Sequence, residues 1–188
     1  CEGDGQNWYR CFNYRLASYT DFLQPGALEC RGIMFEMKNP LDPEPIRLAS
    51  LTPQKFFNLY ENPYTMDLDL STIKEIADKA DGSLISTYLH IPWSSNVHAT
   101  TLEVKTKGSL TSDQAINANA YLRLDEQKTF REELIHGAQI GYTINMEWCA
   151  PDNRIVLTYM EPHLKVLGIR SREDGSSINF YEFDASLF

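Results

Sequence analysis

The run Lys79-Ala80-Asp81-Gly82-Ser83 combines residue types that can perform covalent chemistry at a turn of the backbone. A lysine attacks an electrophile only as the neutral amine, so a nucleophilic Lys79 needs surroundings that lower its pKa. Gly82 allows a tight turn and the close approach of a ligand. The same run also fits an ordinary structural role, in which Lys79 ends a helix and Asp81-Gly82 forms a turn. By itself the run marks Lys79 as a candidate nucleophile.

Four further cations lie beside glycines, aromatic residues or predicted strand ends: Arg31, Lys55, Lys105 and Lys107. If they gathered around Lys79 in one cleft, they would neutralise a polyphosphate, and they would favour the neutral form of the attacking lysine. Two of these cations have a simpler alternative. Lys105 is predicted to be a solvated lysine at a strand end, and Arg31 could pair with Glu29 or Glu36.

Glu147 interrupts a predicted strand that is otherwise rich in apolar and aromatic side chains. A carboxylate in such a strand costs free energy unless it faces a cleft or a partner. The sequence therefore predicts either a ligand site at Glu147 or a buried ion pair between Glu147 and Arg154.

Composition sets limits on the class of protein. The chain has 188 residues, of which 43% are hydrophobic, enough for one domain with a sizeable core. The net charge of −9 does not indicate nucleic-acid binding, although an acidic protein can still carry a local basic groove. No apolar run approaches the roughly 20 residues that span a bilayer. The four cysteines form no Cys-x-x-Cys pair, which favours reduced thiols in the cytoplasm. His90 and His98 are either metal ligands or solvated loop residues.

Hydrophobic spacing predicts antiparallel strands with helices inserted in groups, which is typical of the α+β class. The predicted strands cover residues 8–16, 31–37, 83–90, 100–107, 142–149, 154–159, 164–170 and 178–183. The predicted helices cover residues 18–23, 69–78, 112–122 and 126–138, with Ser112 as an N-cap. No repeat or linker divides residues 1–188, so we expect one domain.

Five stretches, in order along the chain, resemble the phage-type RNA ligase 1 family (T4 RNA ligase 1-like) of ATP-dependent RNA ligases. They are residues 27–36 around Cys30-Arg31-Gly32, residues 55–63 from Lys55-Phe56-Phe57-Asn58, residues 79–83, residues 105–109 and residues 147–156. This family belongs to the superfamily of covalent nucleotidyltransferases. The resemblance covers nearly the whole chain and implies a nucleotidyltransferase (adenylation) domain of antiparallel sheets flanked by helices.

The resemblance implies a three-step reaction. A lysine attacks the α-phosphate of ATP and forms lysyl-AMP, AMP then passes to the 5′-phosphate of an RNA end, and a 3′-hydroxyl displaces AMP and seals the strand. Mg²⁺ would be the metal cofactor, with Mn²⁺ as the alternative ion. The expected partners are ATP and RNA ends, nicked tRNA among them, with no membrane. The expected setting is RNA or tRNA repair in the cytoplasm, which is the host cytoplasm if the protein is phage-encoded.

The resemblance also implies residue roles. It makes Lys79 the catalytic nucleophile and assigns nucleotide-binding positions to Arg31, Lys55, Phe57, Asp81, Gly82, Lys107 and Glu147. Arg31 and Lys55 would contact the nucleotide or its phosphates, and Phe57 would pack on the adenine, although a core role for its ring is the alternative. Glu147 would bind the ribose or hold the metal, directly or through a water molecule.

The sequence departs from this superfamily at its end. No Glu-Gly motif and no Lys-x-Lys strand follow Glu147, and no C-terminal domain for RNA selection follows residue 188. The expectation is that the chain is incomplete, with a genuinely short protein as the alternative. Other functions also remain open: a capping guanylyltransferase, a DNA ligase, or a nucleotide-binding module without turnover.

Overall fold

The computed structural model describes residues 2–3, 7–73, 76–92, 100–153 and 155–178. Their strands form two antiparallel sheets, which confirms the predicted α+β class. The first sheet has the order β1-β2-β3-β4, with β1 at Glu2–Gly3, β2 at Asn7–Asn13, β3 at Arg31–Met37 and β4 at Pro45–Ser50. The second has the order β6-β5-β7-β8-β9, with β5 at Ser83–His90, β6 at Thr101–Thr106, β7 at Tyr142–Cys149, β8 at His163–Ser171 and β9 at Ser177–Ile178.

The two main helices cover one face of the second sheet. The α-helices are α1 at Pro63–Met66, α2 at Asp113–Leu122 and α3 at Lys128–Gln139, and short 3₁₀ turns lie at Tyr19–Leu23, Ala27–Glu29, Leu70–Thr72, Asp125–Gln127 and Pro151–Asn153. The Ser112 hydroxyl accepts a hydrogen bond from the Ala115 amide and caps α2 as predicted. Asn119 of α2 exchanges hydrogen bonds with the Val104 backbone on the outer edge of β6, at 2.9 Å each, so both backbone polar groups of Val104 have a partner at this sheet edge.

The alternation of side chains along β7 separates two functions of this central strand. Ile144, Met146 and Trp148 point into the core shared with α2 and α3. Thr143 and Asn145 are buried on the opposite face, where their side chains hydrogen-bond to the Leu51 backbone at 3.0 and 3.2 Å. Glu147 continues this polar face, so the strand carries its carboxylate away from the hydrophobic core.

A buried ion pair ties the second sheet to the segment before β3. The Arg170 guanidinium of β8 donates to both Glu29 carboxylate oxygens, at 2.7 and 3.0 Å, and to the Thr52 carbonyl at 2.8 Å. Burial opposes ionisation of Glu29, but hydrogen bonds from Arg170 and Gln54 outweigh it and hold the pKa of Glu29 below its ordinary value. A second contact between the sheets is hydrophobic, because Tyr88 of β5 packs with Tyr9 and Met34.

The predicted helix over residues 69–78 is wrong for the residues described. Only Leu70–Thr72 forms a 3₁₀ turn, and residues 76–82 are not helical. Ile73 and Ile76, which suggested an apolar helix face, are 50% and 89% exposed. A short helix gains most of its stability by burying such a face, and here there is no core beneath it.

The predicted strand over residues 154–159 is also wrong for residues 155–159, which run irregularly. The amides of Val156 and Leu157 donate to a side chain, Asp81, instead of to a neighbouring strand. The chain does form β4, which the sequence did not predict. Of the predicted strand 178–183, Ile178 lies in β9 and the rest falls outside the described residues.

Candidate active site

Lys79 lies on the irregular segment that leads into β5, and its side chain is exposed. Asp81 and Gly82 anchor this segment, Asp81 to residues 156–159 and Gly82 to β7 of the second sheet. The Asp81 carboxylate oxygen Oδ2 accepts hydrogen bonds from the amides of Val156 and Leu157, both at 2.6 Å. These bonds hold the pKa of Asp81 below its ordinary value. The Asp81 amide in turn donates to the Tyr159 hydroxyl at 3.0 Å, so the Asp81 side chain and backbone both bind the 156–159 segment.

Gly82 brings the same segment into backbone contact with β7. A Cβ at this position would lie 2.1 Å from the Trp148 carbonyl oxygen and 3.1 Å from Glu147 Cγ, so no other residue fits without movement. The Gly82 amide donates to Glu147 Oε1 at 3.0 Å. The glycine therefore fixes the distance between the Lys79 segment and the Glu147 carboxylate.

A cleft of about 430 Å³ lies beside this contact. Its lining comprises Arg31, Pro53, Phe56, Asp78, Lys79, Ala80, Gly82, Leu84, Glu147 and Leu167. The first sheet contributes Arg31 and the second contributes Glu147, so the cleft opens between the two sheets. Three of the residues that the sequence singled out, Arg31, Lys79 and Glu147, thus share one cavity.

The charges in this cleft act on one another. Burial raises the pKa of Glu147 above its ordinary value, while the Gly82 hydrogen bond and the charges of Lys79 and Arg31 oppose that rise. The Arg31 guanidinium lies over the Phe56 ring, with its Cζ atom 4.5 Å from the ring centroid. Two cationic side chains (Arg31 and Lys79), the Phe56 ring and two carboxylates (Asp78 and Glu147) therefore line one space, and the cations and the ring suit a ligand that is both flat and anionic.

The alternative prediction, that Arg31 forms an ion pair with Glu29 or Glu36, is wrong. Glu29 pairs with Arg170, and Glu36 pairs with Arg47 at 2.6 Å. The other alternative, an ion pair between Glu147 and Arg154, involves a residue outside the described ranges.

Lys55 and Phe57 lie beside the cleft without lining it. The Lys55 ammonium lies 4.6 Å from the Phe57 ring centroid, and Tyr64 stacks on this ring at 5.3 Å with an interplanar angle of 4°. Lys55 lines a neighbouring cavity of about 510 Å³ that shares Pro53, Phe56 and Leu167 with the cleft. Adenine packing on Phe57 stays a prediction, and it would require the base to displace the Lys55 ammonium from the ring.

The two lysines at the end of β6 differ sharply. The Lys107 ammonium lies 5.0 Å from the Tyr14 ring centroid, away from the residues that line the cleft. Lys105 was predicted to be solvated, and this is wrong, because its side chain is completely buried. The ammonium donates to the Gly32 carbonyl at 2.6 Å, a long-range partner that β6 alone does not reveal.

Sequence reasoning did not select six residues that line the cleft: Pro53, Phe56, Asp78, Ala80, Leu84 and Leu167. Phe56 is next to the predicted Phe57, and its 64% exposure shows which of the two rings stays out of the core. Irregular backbone has no fixed side-chain alternation, so the sequence offered no signal to choose between them.

The remaining candidates do not form a metal site within the described ranges. No group of three or more His, Cys, Asp or Glu side chains gathers there. His90 Nδ1 lies 3.2 Å from the Tyr9 hydroxyl, and His98 is outside the described residues. Cys11, Cys30 and Cys149 are free thiols. Across the same ranges, the helices are too short or too polar to traverse a bilayer.

A family model described as RNA ligase, of the T4 RNA ligase 1 type, matches residues 29–186. The matched range includes the whole lining of the cleft, from Arg31 through Lys79 and Glu147 to Leu167.

Proposed function

The chain belongs to the RNA ligase family of the T4 RNA ligase 1 type, and on that premise we propose that it is an ATP-dependent RNA ligase that works through a lysyl-AMP intermediate. The substrates are ATP and RNA ends that carry a 5′-phosphate and a 3′-hydroxyl. The observation that carries the proposal is the common cleft of Lys79, Arg31 and Glu147. These are three of the residues that the family resemblance selects.

In the first step, the neutral Lys79 amine attacks the α-phosphorus of ATP. A nitrogen–phosphorus bond forms, the bond to the β-phosphate oxygen breaks, pyrophosphate leaves with the electron pair, and the amine proton passes to water. Arg31 neutralises phosphate charge from the opposite wall of the cleft. Lys55 lines the adjoining cavity, from which we expect it to contact the outer phosphates, and a nucleotide contact by Lys107 stays a prediction, because its ammonium lies against the Tyr14 ring.

Other residues hold the reacting groups in place. Asp81 and Gly82 fix the Lys79 segment against the second sheet, and this preorganisation lowers the cost of reaching the reactive geometry. The exposed Phe56 ring is suited to contact the adenine, while Phe57 supports Lys55 and remains a second candidate for that contact. Through its carboxylate, Glu147 would accept a hydrogen bond from the ribose hydroxyl or help to hold a bound metal ion.

A magnesium ion fits the donor set of the cleft. Mg²⁺ commonly takes one or two carboxylates and completes its shell with water and substrate phosphates. Asp78 and Glu147 each bring a carboxylate to the cleft; Glu147 Oε1 accepts the Gly82 amide, and Glu147 Oε2 has no hydrogen bond to the residues described. When bound there, the ion would offset charge on the triphosphate and on the pyrophosphate that leaves.

The two later steps join RNA. A 5′-phosphate oxygen attacks the phosphorus of lysyl-AMP, which transfers AMP to the RNA and frees Lys79. A 3′-hydroxyl then attacks the 5′-phosphate, the phosphodiester bond forms and AMP leaves. Repair of broken RNA, with nicked tRNA among the substrates, is the role that this sequence of steps supports.

The first test is the intact mass of the protein after incubation with ATP and Mg²⁺. We expect a gain of one AMP that is lost in Lys79→Ala, is retained in the control Lys128→Ala, and does not occur as a GMP gain with GTP. Lys128 is an exposed lysine on α3, far from the cleft in sequence. An AMP gain in Lys79→Ala, or none in the wild type, would refute the assignment, and a GMP gain would favour a capping enzyme.

The second test separates RNA from DNA. Protein charged with AMP is mixed with a single-stranded RNA carrying a 5′-phosphate, a tRNA cut in its anticodon loop, or a nicked DNA duplex. We expect sealing of the RNA substrates, whereas sealing of the DNA alone would identify a DNA ligase.

A further inference from the structure

Lys105 is a buried lysine for which the proposed chemistry has no direct use. It lies in β6 opposite Ser86 of β5, and it is among the largest side chains with no exposed surface. No carboxylate pairs with it among the residues described, although a buried ammonium is costly without strong partners. Burial lowers its pKa to about 8. The free-energy cost of burying this ammonium calls for a specific explanation.

The partners of Lys105 join the two sheets. Its ammonium donates to the Gly32 carbonyl of β3 at 2.6 Å and to its neighbour's carbonyl, that of Thr106, at 3.2 Å. β3 belongs to the first sheet and β6 to the second. The ammonium therefore bridges the two walls that enclose the cleft.

The backbone packs so closely at Gly32 that the contact with Lys105 depends on where this residue lies. Its φ is +115°, and a Cβ there would lie 2.5 Å from the Lys107 carbonyl oxygen. The Asn13 side chain donates to the same Lys107 carbonyl at 3.0 Å. Gly32, the residue after Arg31, is thus held by close backbone packing at its Cα and by the Lys105 ammonium on its carbonyl.

Two proposed nucleotide ligands, Arg31 and Lys107, lie next to these contacts. Arg31 directly precedes Gly32 and extends its guanidinium over Phe56 into the cleft. Lys107 follows Lys105 by two residues and packs by its backbone against Gly32. Lys105 touches neither ligand group through its ammonium, yet it fixes the backbone from which Arg31 extends.

We propose that Lys105 is a positioning residue for ATP, which orients Arg31 in the cleft through the hydrogen bond to the Gly32 carbonyl. This inference rests on the proposed function, because it takes Arg31 as a ligand of the nucleotide. A merely structural Lys105 would stabilise the junction of the sheets without changing how Arg31 contributes to nucleotide affinity.

The first experiment is a double-mutant cycle on nucleotide affinity. Calorimetry measures binding of α,β-methylene-ATP with Mg²⁺, since the methylene bridge prevents transfer to Lys79, for the wild type, Lys105→Met, Arg31→Ala and the double variant. We expect Lys105→Met to weaken binding by about tenfold in the wild type and less than about twofold in Arg31→Ala. Equal losses in both backgrounds would overturn the proposal. Leu134→Ala, a core variant on α3, controls for a general loss of stability and should bind as the wild type does.

The second experiment needs no nucleotide. The ¹⁵N–¹H signal of Arg31 Nε, identified by its loss in Arg31→Ala, reports whether the guanidinium is ordered. We expect it to be ordered in the wild type and in Leu134→Ala, and mobile in Lys105→Met. An ordered Arg31 in folded Lys105→Met would refute the positioning role. Absence of nucleotide binding by the wild type would instead refute the proposed function, and this second measurement would still decide the role of Lys105.

If Lys105→Met does not fold, a pH titration of the wild-type protein tests the proposal instead. Loss of the Lys105 charge weakens its hydrogen bond to Gly32, so the Gly32 carbonyl ¹³C signal and the Arg31 Nε signal should shift together with a midpoint near pH 8. Cys11 is the titratable group that faces Lys105, and burial raises the pKa of its thiol above 9.0, so it titrates later. A Gly32 shift without any Arg31 response would overturn the proposal.

Discussion

Gly82→Ala tests whether backbone contact with β7 sets the position of the nucleophile. The added Cβ would lie 2.1 Å from the Trp148 carbonyl oxygen, whereas real contacts of this kind stay at or above 3.0 Å. The difference of 0.9 Å must be absorbed by movement. Trp148 is 3% exposed and lies in a strand that pairs with β5 and β8, so the Lys79 segment is the side that yields.

The expected loss of activity follows from this displacement. A shift of about 1 Å at a reacting centre can cost about 100-fold in rate. We therefore expect Gly82→Ala to form lysyl-AMP about 100-fold more slowly than the wild type. Overpacking and the weakened Gly82–Glu147 hydrogen bond should cost about 1–3 kcal/mol of unfolding free energy. In a domain of this size that corresponds to a fall of roughly 2–12 °C in Tm.

The assay is a single-turnover time course of AMP attachment by mass, together with thermal unfolding followed by circular dichroism. Gly168→Ala is the matched control, because a Cβ at Gly168 meets nothing within 4 Å. It should keep the rate of AMP attachment and the Tm of the wild type. A wild-type rate in Gly82→Ala, or an equal loss of rate in Gly168→Ala, would refute the reasoning.

Four further outcomes can be measured. Phe56→Ala should weaken nucleotide binding by about tenfold or more in calorimetry, because stacking on a base is worth roughly 1–3 kcal/mol, whereas Phe57→Ala should chiefly lower the Tm, and the reverse pattern would return the adenine contact to Phe57. Arg170→Met should cost about 1–3 kcal/mol in urea unfolding, since it leaves the partly buried Glu29 carboxylate without its cation, and an unchanged urea midpoint would contradict this role. Folding holds the pKa of Glu29 below its ordinary value of 4.5. The ionised carboxylate therefore contributes its full stabilisation of the folded protein above pH 4.5, and this contribution is lost as the pH falls through the pKa that Glu29 has in the folded protein. Urea midpoints measured against pH should therefore fall less steeply on acidification in Glu29→Gln, and an identical slope would contradict the linkage. Ser112→Ala should lower stability by about 1 kcal/mol and Ser112→Asp should retain it, unless the cap on α2 is dispensable, in which case both variants melt like the wild type.

Local pattern was enough to predict most of the regular elements. Strand-like runs predicted β3 and β5 with their observed bounds, and Ser112 as an N-cap followed by Asp113 predicted the start of α2. These predictions succeeded because a strand or helix that buries one face must carry its period in the sequence. The family resemblance was likewise readable from the sequence, and the match over residues 29–186 confirms it.

Local pattern failed where long-range contacts decide the backbone. The residues around Ile73 and Ile76 have helical spacing, but no core lies beneath them. Val156 and Leu157 look like strand residues, but their amides bind the Asp81 carboxylate, 75 and 76 residues away. A residue's own neighbours do not encode the absence of a packing surface or the presence of a distant acceptor.

The sequence by itself determined the fold class, the family and the chemical types available to the site, with Lys79, Arg31 and Glu147 among them. The tertiary structure decided which of those residues share a cleft, that Phe56 faces it, and that Lys105 is a buried link between two sheets. The physical reason is that residue type and period report on immediate surroundings. Burial of a charge and convergence on a cavity depend on how separate sheets pack, and that packing is settled by contacts between residues far apart in the chain.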